Sequence, residues 1–463
     1  MKRESNGFSS SIGFVLAAAG SAVGVGNIWR FPYLAAKDGG GLFILIYLIL
    51  VFTFGFTLLT TDIAIGRKTQ KNPIEAFKQM HPKWGFLGKM TFFVPALIMT
   101  FYTVIGGWVL KYITTYLTFN GASAAGNDYF NNFISSLFPP IIYTVIFILL
   151  TAIIVYMGVE KGVEGFSKII MPGLIFIIVV IGIYSLTLTY NDNGVTRTGL
   201  EGLAIYLIPN FDGITLGRFF EILLDAMSQI FFSMSVSMGI MITFGSYVKK
   251  DVNLSEAVSQ IELCDTGVAL MAGLMIVPAV YVFMGLDGMK SGPGLMFVSL
   301  PKVFLAMGNI GAIVGLIFFV MVAFAALTSC VSIMETLIST CMDMFKTSRQ
   351  KMCVIITVLS ILGSVIICLG YNALFFDIVL PNGAHAQLLD IADYISNSVF
   401  MPLISFLTCI FIGWIKKPKW IIEEMESSGH QFSRKSLYVV MIRYIAPIMM
   451  FILFLQSTGL VKF

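Results

Sequence analysis

Along this chain the apolar positions come in long runs, and polar residues gather in the gaps between them. A helix that crosses a bilayer needs about 20 consecutive, mostly apolar residues. Runs of that kind lie near 11–36, 41–66, 88–118, 139–157, 165–190, 217–246, 257–286, 309–343, 352–371, 387–415 and 437–459. The pattern therefore predicts an all-α integral membrane protein of about 11 spans. A shorter apolar patch, Leu295–Ala306, has Gly292, Pro293 and Pro301 near it and reads as an outer re-entrant or capping segment. The first run passes Ala17, Ala18 and Ala19 without stopping and continues through Val23 and Val25 to Trp29. It reads as a spanning helix with small residues in its middle, not as a cleaved leader.

Two runs carry breaks. The first contains Ala19-Gly20-Ser21-Ala22-Val23-Gly24-Val25-Gly26-Asn27, and the sixth contains Phe232-Ser233-Met234-Ser235-Val236-Ser237-Met238-Gly239. Glycine costs about 1 kcal/mol against alanine inside a helix. Unpaired backbone groups in lipid cost several kcal/mol each, so an unwound stretch persists only where it lines a protected cavity. Close helix packing would explain one such stretch. Two in corresponding positions, five spans apart, point to two inverted five-helix repeats over 11–190 and 217–415, with a last helix over 437–459, all in one transporter domain of 1–459. The run Gly24-Val25-Gly26 is no nucleotide loop, since it lacks a preceding strand and a third glycine.

Composition agrees with the pattern: 57% of the 463 residues are hydrophobic and only 12% are charged. Soluble domains carry about twice that charge. The net charge of +4 gives no reason to expect nucleic acid as a partner. With the N-terminus placed in the cytoplasm, twenty of the 29 Lys and Arg residues fall on the inner side, whereas the outer connectors near 119–138 and 191–216 hold only Arg197. That asymmetry supports a cytoplasmic N-terminus. The six cysteines lie in or beside apolar runs without metal-ligand spacing. The three histidines lie in polar connectors, so a histidine proton relay through the core is not expected. No nucleophile–histidine pair is visible in the spans, which argues against an enzyme.

Oxygen-bearing residues cluster at the breaks. Asn27 follows the first, Ser233 and Ser235 lie in the second, and Thr328 and Ser329 form a paired hydroxyl motif in the eighth run. Charges inside spans are costly and are functional candidates by default. Here they include Arg30, Asp62, Glu262, Asp265, Glu335, Asp343 and Asp393.

The stretch from Gly20 through Gly26-Asn27-Ile28-Trp29-Arg30-Phe31-Pro32-Tyr33, followed by Gly39-Gly40-Gly41, resembles the neurotransmitter:sodium symporter family, and its bacterial amino-acid branch (leucine, tryptophan and tyrosine transporters) in particular. Gln229 through Ser233, Ser246-Tyr247-Val248 and Ala325 through Ser329 extend the match over the whole chain. Many relatives carry a twelfth helix that this sequence lacks. The resemblance implies import of a hydrophobic or aromatic L-amino acid with two sodium ions, by alternating access, across a bacterial plasma membrane. A homodimer is compatible with it.

One sodium site would use Ala22, Asn27, Ser233 and Asp265, and the second Gly20, Val23, Ala325, Thr328 and Ser329. The family usually has Asn at the position of Asp265. A carboxylate there, with Asp62 as a further charge near the ion, implies that chloride is not required. The substrate would meet Ala22, Gly24, Gly26, Tyr102, Phe232, Ser233 and Ser235, with its side chain among Ile98, Met238, Cys330, Ser332 and Ile333. Gly24 stands where monoamine carriers place Asp, which leaves room for a substrate carboxylate. Arg30 and Asp393 would form an outer gate, and Arg3, Tyr247 and Asp343 an inner one. A channel or a non-transporting sensor on the same fold are the rival readings. A channel would need a continuous polar path, and a sensor a lost ion site or a large soluble domain.

Overall fold

The computed structural model describes residues 7–192, 194–289, 293–381 and 383–461. Among them, nine helices are long and apolar enough to cross a membrane. These are Gly41–Thr69 (span 2), Pro82–Leu117 (span 3), Phe138–Tyr156 (span 4), Val159–Leu186 (span 5), Leu254–Met284 (span 7), Gly308–Phe345 (span 8), Arg349–Leu369 (span 9), Leu388–Lys416 (span 10) and Lys435–Ser457 (span 11). Span 1 is a pair, Ser11–Ala22 and Val25–Lys37, bent by 54°. Span 6 is also a pair, Leu216–Ser233 and Ile240–Gly245, with 234–239 non-helical between them. The breaks thus fall where the small and polar residues predict them.

Several spans contain wide π-turns that the sequence does not announce. They occupy Val51–Gly55 in span 2, Val159–Glu164 in span 5, Tyr394–Phe400 and Phe411–Lys416 in span 10, and Met441–Ile445 in span 11. Such turns occur mostly as local insertions in α-helices, often at functional positions. Span 3 packs along span 8 and against spans 4 and 9, while span 1 touches spans 7 and 8 and span 6 touches span 2. The Leu295–Ala306 patch is a short helical segment. Phe297 anchors it: its carbonyl accepts from Tyr112 Oη at 2.7 Å, and its ring stacks on Phe130 at 5.0 Å.

The N-terminal segment lies against the basic end of the molecule. Phe8 N donates to Tyr247 O at 3.3 Å, Lys249 Nζ to Ser9 O at 3.2 Å, and Ser9 N to Glu164 at 2.7 Å. Charged clamps tie this end together. Arg67 is fully buried, bonds Glu424 Oε1 at 2.7 Å and Val252 O at 2.6 Å, and also donates to Glu424 O. Lys250 reaches the same carboxylate at 2.8 Å. Glu262, without a role from sequence, pairs with Arg434 at 2.6 Å, whose guanidinium also sits 3.5 Å from the centre of the Phe56 ring.

Removing one member of a buried pair leaves an uncompensated charge, which costs about 3–5 kcal/mol. Arg67→Ala is expected to lower the thermal unfolding midpoint in detergent clearly, and Glu424→Gln to lower it less, because Gln keeps an acceptor for the guanidinium. An unchanged midpoint for Arg67→Ala would show that this clamp is not structural.

Candidate binding site

The two breaks face each other. Ala22 ends the first half of span 1, and Gly24 caps the second half in extended backbone. In span 6 the last helical residue is Ser233, and helix resumes at Ile240. Ser235 and Ser237 sit at φ 52° and 63°, a left-handed conformation that is strained for residues with a side chain. Gly239, at φ 77°, takes the same region without that cost. Neighbouring side chains satisfy the freed backbone. Tyr102 Oη accepts from Val25 N at 3.1 Å, and Asp62 Oδ2 accepts from Ser237 N at 2.8 Å. Ser235 and Ser329 both donate to Ser21 O, at 2.9 and 3.2 Å.

Asn27, Ser233 and Asp265 come together although 238 positions separate the first and last. Asn27 Nδ2 donates to Asp265 Oδ1 at 2.8 Å and to Asp265 O at 3.3 Å. Ser233 Oγ lies 2.6 Å from both Asp265 carboxylate oxygens. All three residues are buried. A carboxylate, a hydroxyl, an amide oxygen and backbone carbonyls form the donor set a small hard cation needs. Tyr47 lies beside Ser233 and Asp265, and Gln229 reaches Gly26 O at 3.4 Å from the preceding turn of span 6.

The second group is looser. A side chain on Gly20 would touch Thr328 at 3.3 Å, so that backbone lies against the hydroxyl pair. Thr328 Oγ1 turns back to Ala325 O at 3.0 Å, and Val23 N caps onto Ala19 O at 2.7 Å.

A cavity adjoins the first cluster. Ala22, Gly24, Gly26, Ile98, Tyr102, Phe232, Ser235, Met238 and Ile333 line it as expected, and Ser21, Asn27, Ile240, Ser329 and Asn397 join them. Its volume is about 30 Å³. Ser233, Cys330 and Ser332 are not on its wall, although Cys330 lies near Tyr102. Ser332 Oγ instead bonds Thr328 O at 2.9 Å. Asp62 also differs from expectation, because it holds the inner side of the span 6 break and neighbours Cys409 and Tyr438, away from the Asn27 cluster.

Beside the cavity, a vestibule of about 520 Å³ is lined by Arg30, Asp225, Ser228, Asn397 and the end of span 11. Phe232 lies between the two spaces, with Arg30 5.9 Å from its ring centre. The expected Arg30–Asp393 ion pair is not formed. Arg30 Nη2 bonds Ser228 Oγ at 2.7 Å, and Asp393 Oδ1 accepts from Asn397 at 2.6 Å. At the other end, Tyr247 Oη donates to Glu335 Oε1 at 2.7 Å, and Arg349 pairs with the same carboxylate. Asp343 accepts from Asn72 at 2.8 Å. Arg3 lies outside the described residues. Tyr47, Gln229, Asn397 and the Glu335–Arg349 pair were not foreseen as site residues. Spacing could have found two of them, since Gln229 is one helical turn before Ser233 and Asn397 one turn after Asp393.

The model of the sodium:neurotransmitter symporter family matches residues 5–136 and 139–462. The chain belongs to this family. It is therefore a sodium-coupled membrane transporter and not an enzyme. The symporter is 34% identical to the sodium-dependent transporter YhdH of Bacillus subtilis over 98% of both chains. It is 28% identical to the mouse sodium- and chloride-dependent GABA transporter 2, over 76% of this chain and 65% of that protein. The crystal structure of MhsT in complex with L-phenylalanine matches it with a TM-score of 0.84 at 34% identity, covering 98% of this chain and 99% of that one.

Two glycines of this symporter give a graded test. A Cβ on Gly26 would sit 2.2 Å from the Phe232 ring, whereas one on Gly24 would meet Tyr102 Oη at 3.0 Å. Gly26→Ala must push the Phe232 lid aside, so transport in proteoliposomes is expected to fall at least about tenfold, a loss of the size overpacking produces. Gly24→Ala is expected to lose less, with correctly folded protein in both cases by size-exclusion chromatography. Equal activity of Gly26→Ala and wild type would show that transport does not depend on the present position of the Phe232 ring.

Proposed function

We propose that this symporter imports a hydrophobic or aromatic L-amino acid together with sodium, across a bacterial plasma membrane, with its N-terminus in the cytoplasm. The carrying observation is the Asn27–Ser233–Asp265 cluster at the edge of a cavity whose floor is glycine. A substrate carboxylate fits between the backbone amides near Gly24 and Gly26, the Tyr102 hydroxyl and an ion held by Ala22, Asn27, Ser233 and Asp265. The substrate ammonium would meet the carbonyls freed at the two breaks. A second ion would lie among Gly20, Val23, Ala325, Thr328 and Ser329. Substrate and first ion complete each other's coordination, so each raises the other's affinity. Each sodium charge moving inward draws about 2.3 kcal/mol per 100 mV of membrane potential.

The apolar remainder of the wall, Ile98, Phe232, Met238, Ile240 and Ile333, supports a large apolar side chain. That MhsT was crystallised with L-phenylalanine supports the same class. Met238 can shift to fit rings of different size. The halves 11–190 and 217–415 would be the inverted repeats whose relative rocking exposes the site to each side in turn.

Asp265 also supports transport without chloride. The mouse relative is chloride-dependent by name, and in this chain a fixed carboxylate already balances the ion. Tyr47, Ser233 and Gln229 supply O–H and N–H groups around it that could hold an anion in its place.

Uptake of each standard amino acid into proteoliposomes tests the reading, with an inward sodium gradient and with potassium replacing sodium. Sodium-dependent accumulation of large apolar amino acids is expected. No such uptake by folded protein would point to a non-transporting sensor or another substrate. Asp265→Ala is expected to abolish uptake. Replacing chloride by gluconate is expected to leave wild-type uptake unchanged and to lower that of Asp265→Asn; a wild type that needs chloride would refute the role given to Asp265.

A further inference from the structure

Spans 10 and 11 touch where each carries a π-turn, Phe411–Lys416 and Met441–Ile445. The backbones meet at Gly413, where a Cβ would sit 2.8 Å from Ile442 O and 3.2 Å from Arg443 Cα. Two side chains bond across the contact. Arg443 Nε donates to Gly413 O at 3.1 Å, and Trp414 Nε1 donates to Arg443 O at 3.0 Å.

Arg443 is a charge within span 11, and charges in that setting are ordinarily paired. Its Nε is satisfied, but the two terminal nitrogens have no acceptor among the described residues, and neither is sealed from the surface. The acidic residues of the connector between the two spans are committed to other cations. Glu423 pairs with Lys68, Glu424 with Arg67 and Lys250, and Glu426 with Lys435. Lys416 and Lys417, about one turn beyond Gly413 where span 10 ends, make no ion pair among the described residues either. The surface beside Arg443 is open. Trp414 is 56% exposed and Tyr444 51%, and their rings meet edge to face at 5.7 Å. Val440, Ile445 and Ile448 of span 11 are exposed as well. On a spanning helix such residues contact lipid, and Trp and Tyr beside a span end mark the headgroup level.

We propose that the seam between spans 10 and 11, at the basic end, binds one anionic phospholipid, with its phosphate on the open edge of the Arg443 guanidinium. The planar fork matches phosphate oxygens bidentately. Lys416 and Lys417 supply the surplus of positive charge at the same end of the span. The acyl chains run along the exposed apolar side of span 11. A zwitterionic phospholipid offers the same phosphate but brings its own cation, so it gains nothing from the two lysines. Unpaired basic groups near a headgroup layer recognise anionic lipid in this way.

The test is native mass spectrometry of the detergent-purified transporter, titrated with phosphatidylglycerol or with phosphatidylcholine of the same acyl chains. Wild type is expected to hold one phosphatidylglycerol at least about fivefold more tightly than phosphatidylcholine, the effect of one basic residue beside an anionic headgroup. Arg443→Gln, which keeps an N–H for Gly413 O and removes the charge, is expected to lose about fivefold in phosphatidylglycerol affinity. Lys351→Gln, at an exposed lysine on span 9, is expected to lose none. If Arg443→Gln does not fold, Lys416→Gln combined with Lys417→Gln decides, since neither lysine is bonded within the described residues; it is expected to bring the ratio of the two lipids near one. No preference for phosphatidylglycerol in wild type, or an unchanged affinity in folded Arg443→Gln, would overturn the proposal. An equal loss in Lys351→Gln would show a general attraction of the basic end and overturn it too. Displacement of the bound lipid by an equal concentration of inorganic phosphate would show a free-anion site instead.

Discussion

The structure depends on one constraint: a backbone that leaves its helix inside a membrane must find new hydrogen-bond partners within the protein. Spans 1 and 6 both do this, and the surrounding elements are placed to meet the need. Span 2 contributes Asp62 to Ser237 N, span 3 contributes Tyr102 to Val25 N, and span 8 contributes Ser329 to Ser21 O. The two breaks also serve each other through Ser235 and Ser21. The carbonyls and amides that remain are concentrated in one small volume. The unwinding that is costly in lipid is thus what creates a site able to hold an ion and a zwitterion side by side.

The two ends of the molecule are held differently. At the basic end, charges are buried and paired: Arg67 with Glu424, Arg434 with Glu262, Arg349 with Glu335. The N-terminal segment lies across them and bonds to Tyr247, Lys249 and Glu164. At the opposite end the vestibule is lined by Arg30, and Arg30 and Asp393 are each satisfied by an uncharged neighbour. Pairing Arg30 with Asp393 would mean trading Ser228 and Asn397 for one another. Opening the basic end would break several buried pairs together.

How much of this was legible beforehand follows from which signals are local. Span number and limits follow from runs of apolar residues, a property of neighbours along the chain. The breaks could be read because glycine, serine and asparagine at mid-membrane depth conflict with lipid. Asn27, Ser233, Asp265, Thr328 and Ser329 stand out as polar residues in apolar runs, and the family motif around Trp29 orders them. For Cys330 and Ser332 the motif gives the region of span 8 and not the face. Asp62 was misplaced because a carboxylate in a span signals importance without naming its partner.

The sequence by itself determined that this is a polytopic helical membrane protein with two interrupted spans, because apolar length and the cost of polar groups in lipid act residue by residue. Only the tertiary structure decided which interruption each polar side chain serves. It alone showed that Asn27 meets Asp265 from across about half of the chain, that Asp62 supports the backbone of the span 6 break, and that Asp393 is held by Asn397 and not by Arg30. Each of these depends on the angles at which helices cross and on small changes in helical phase, and no local pattern of residues encodes either.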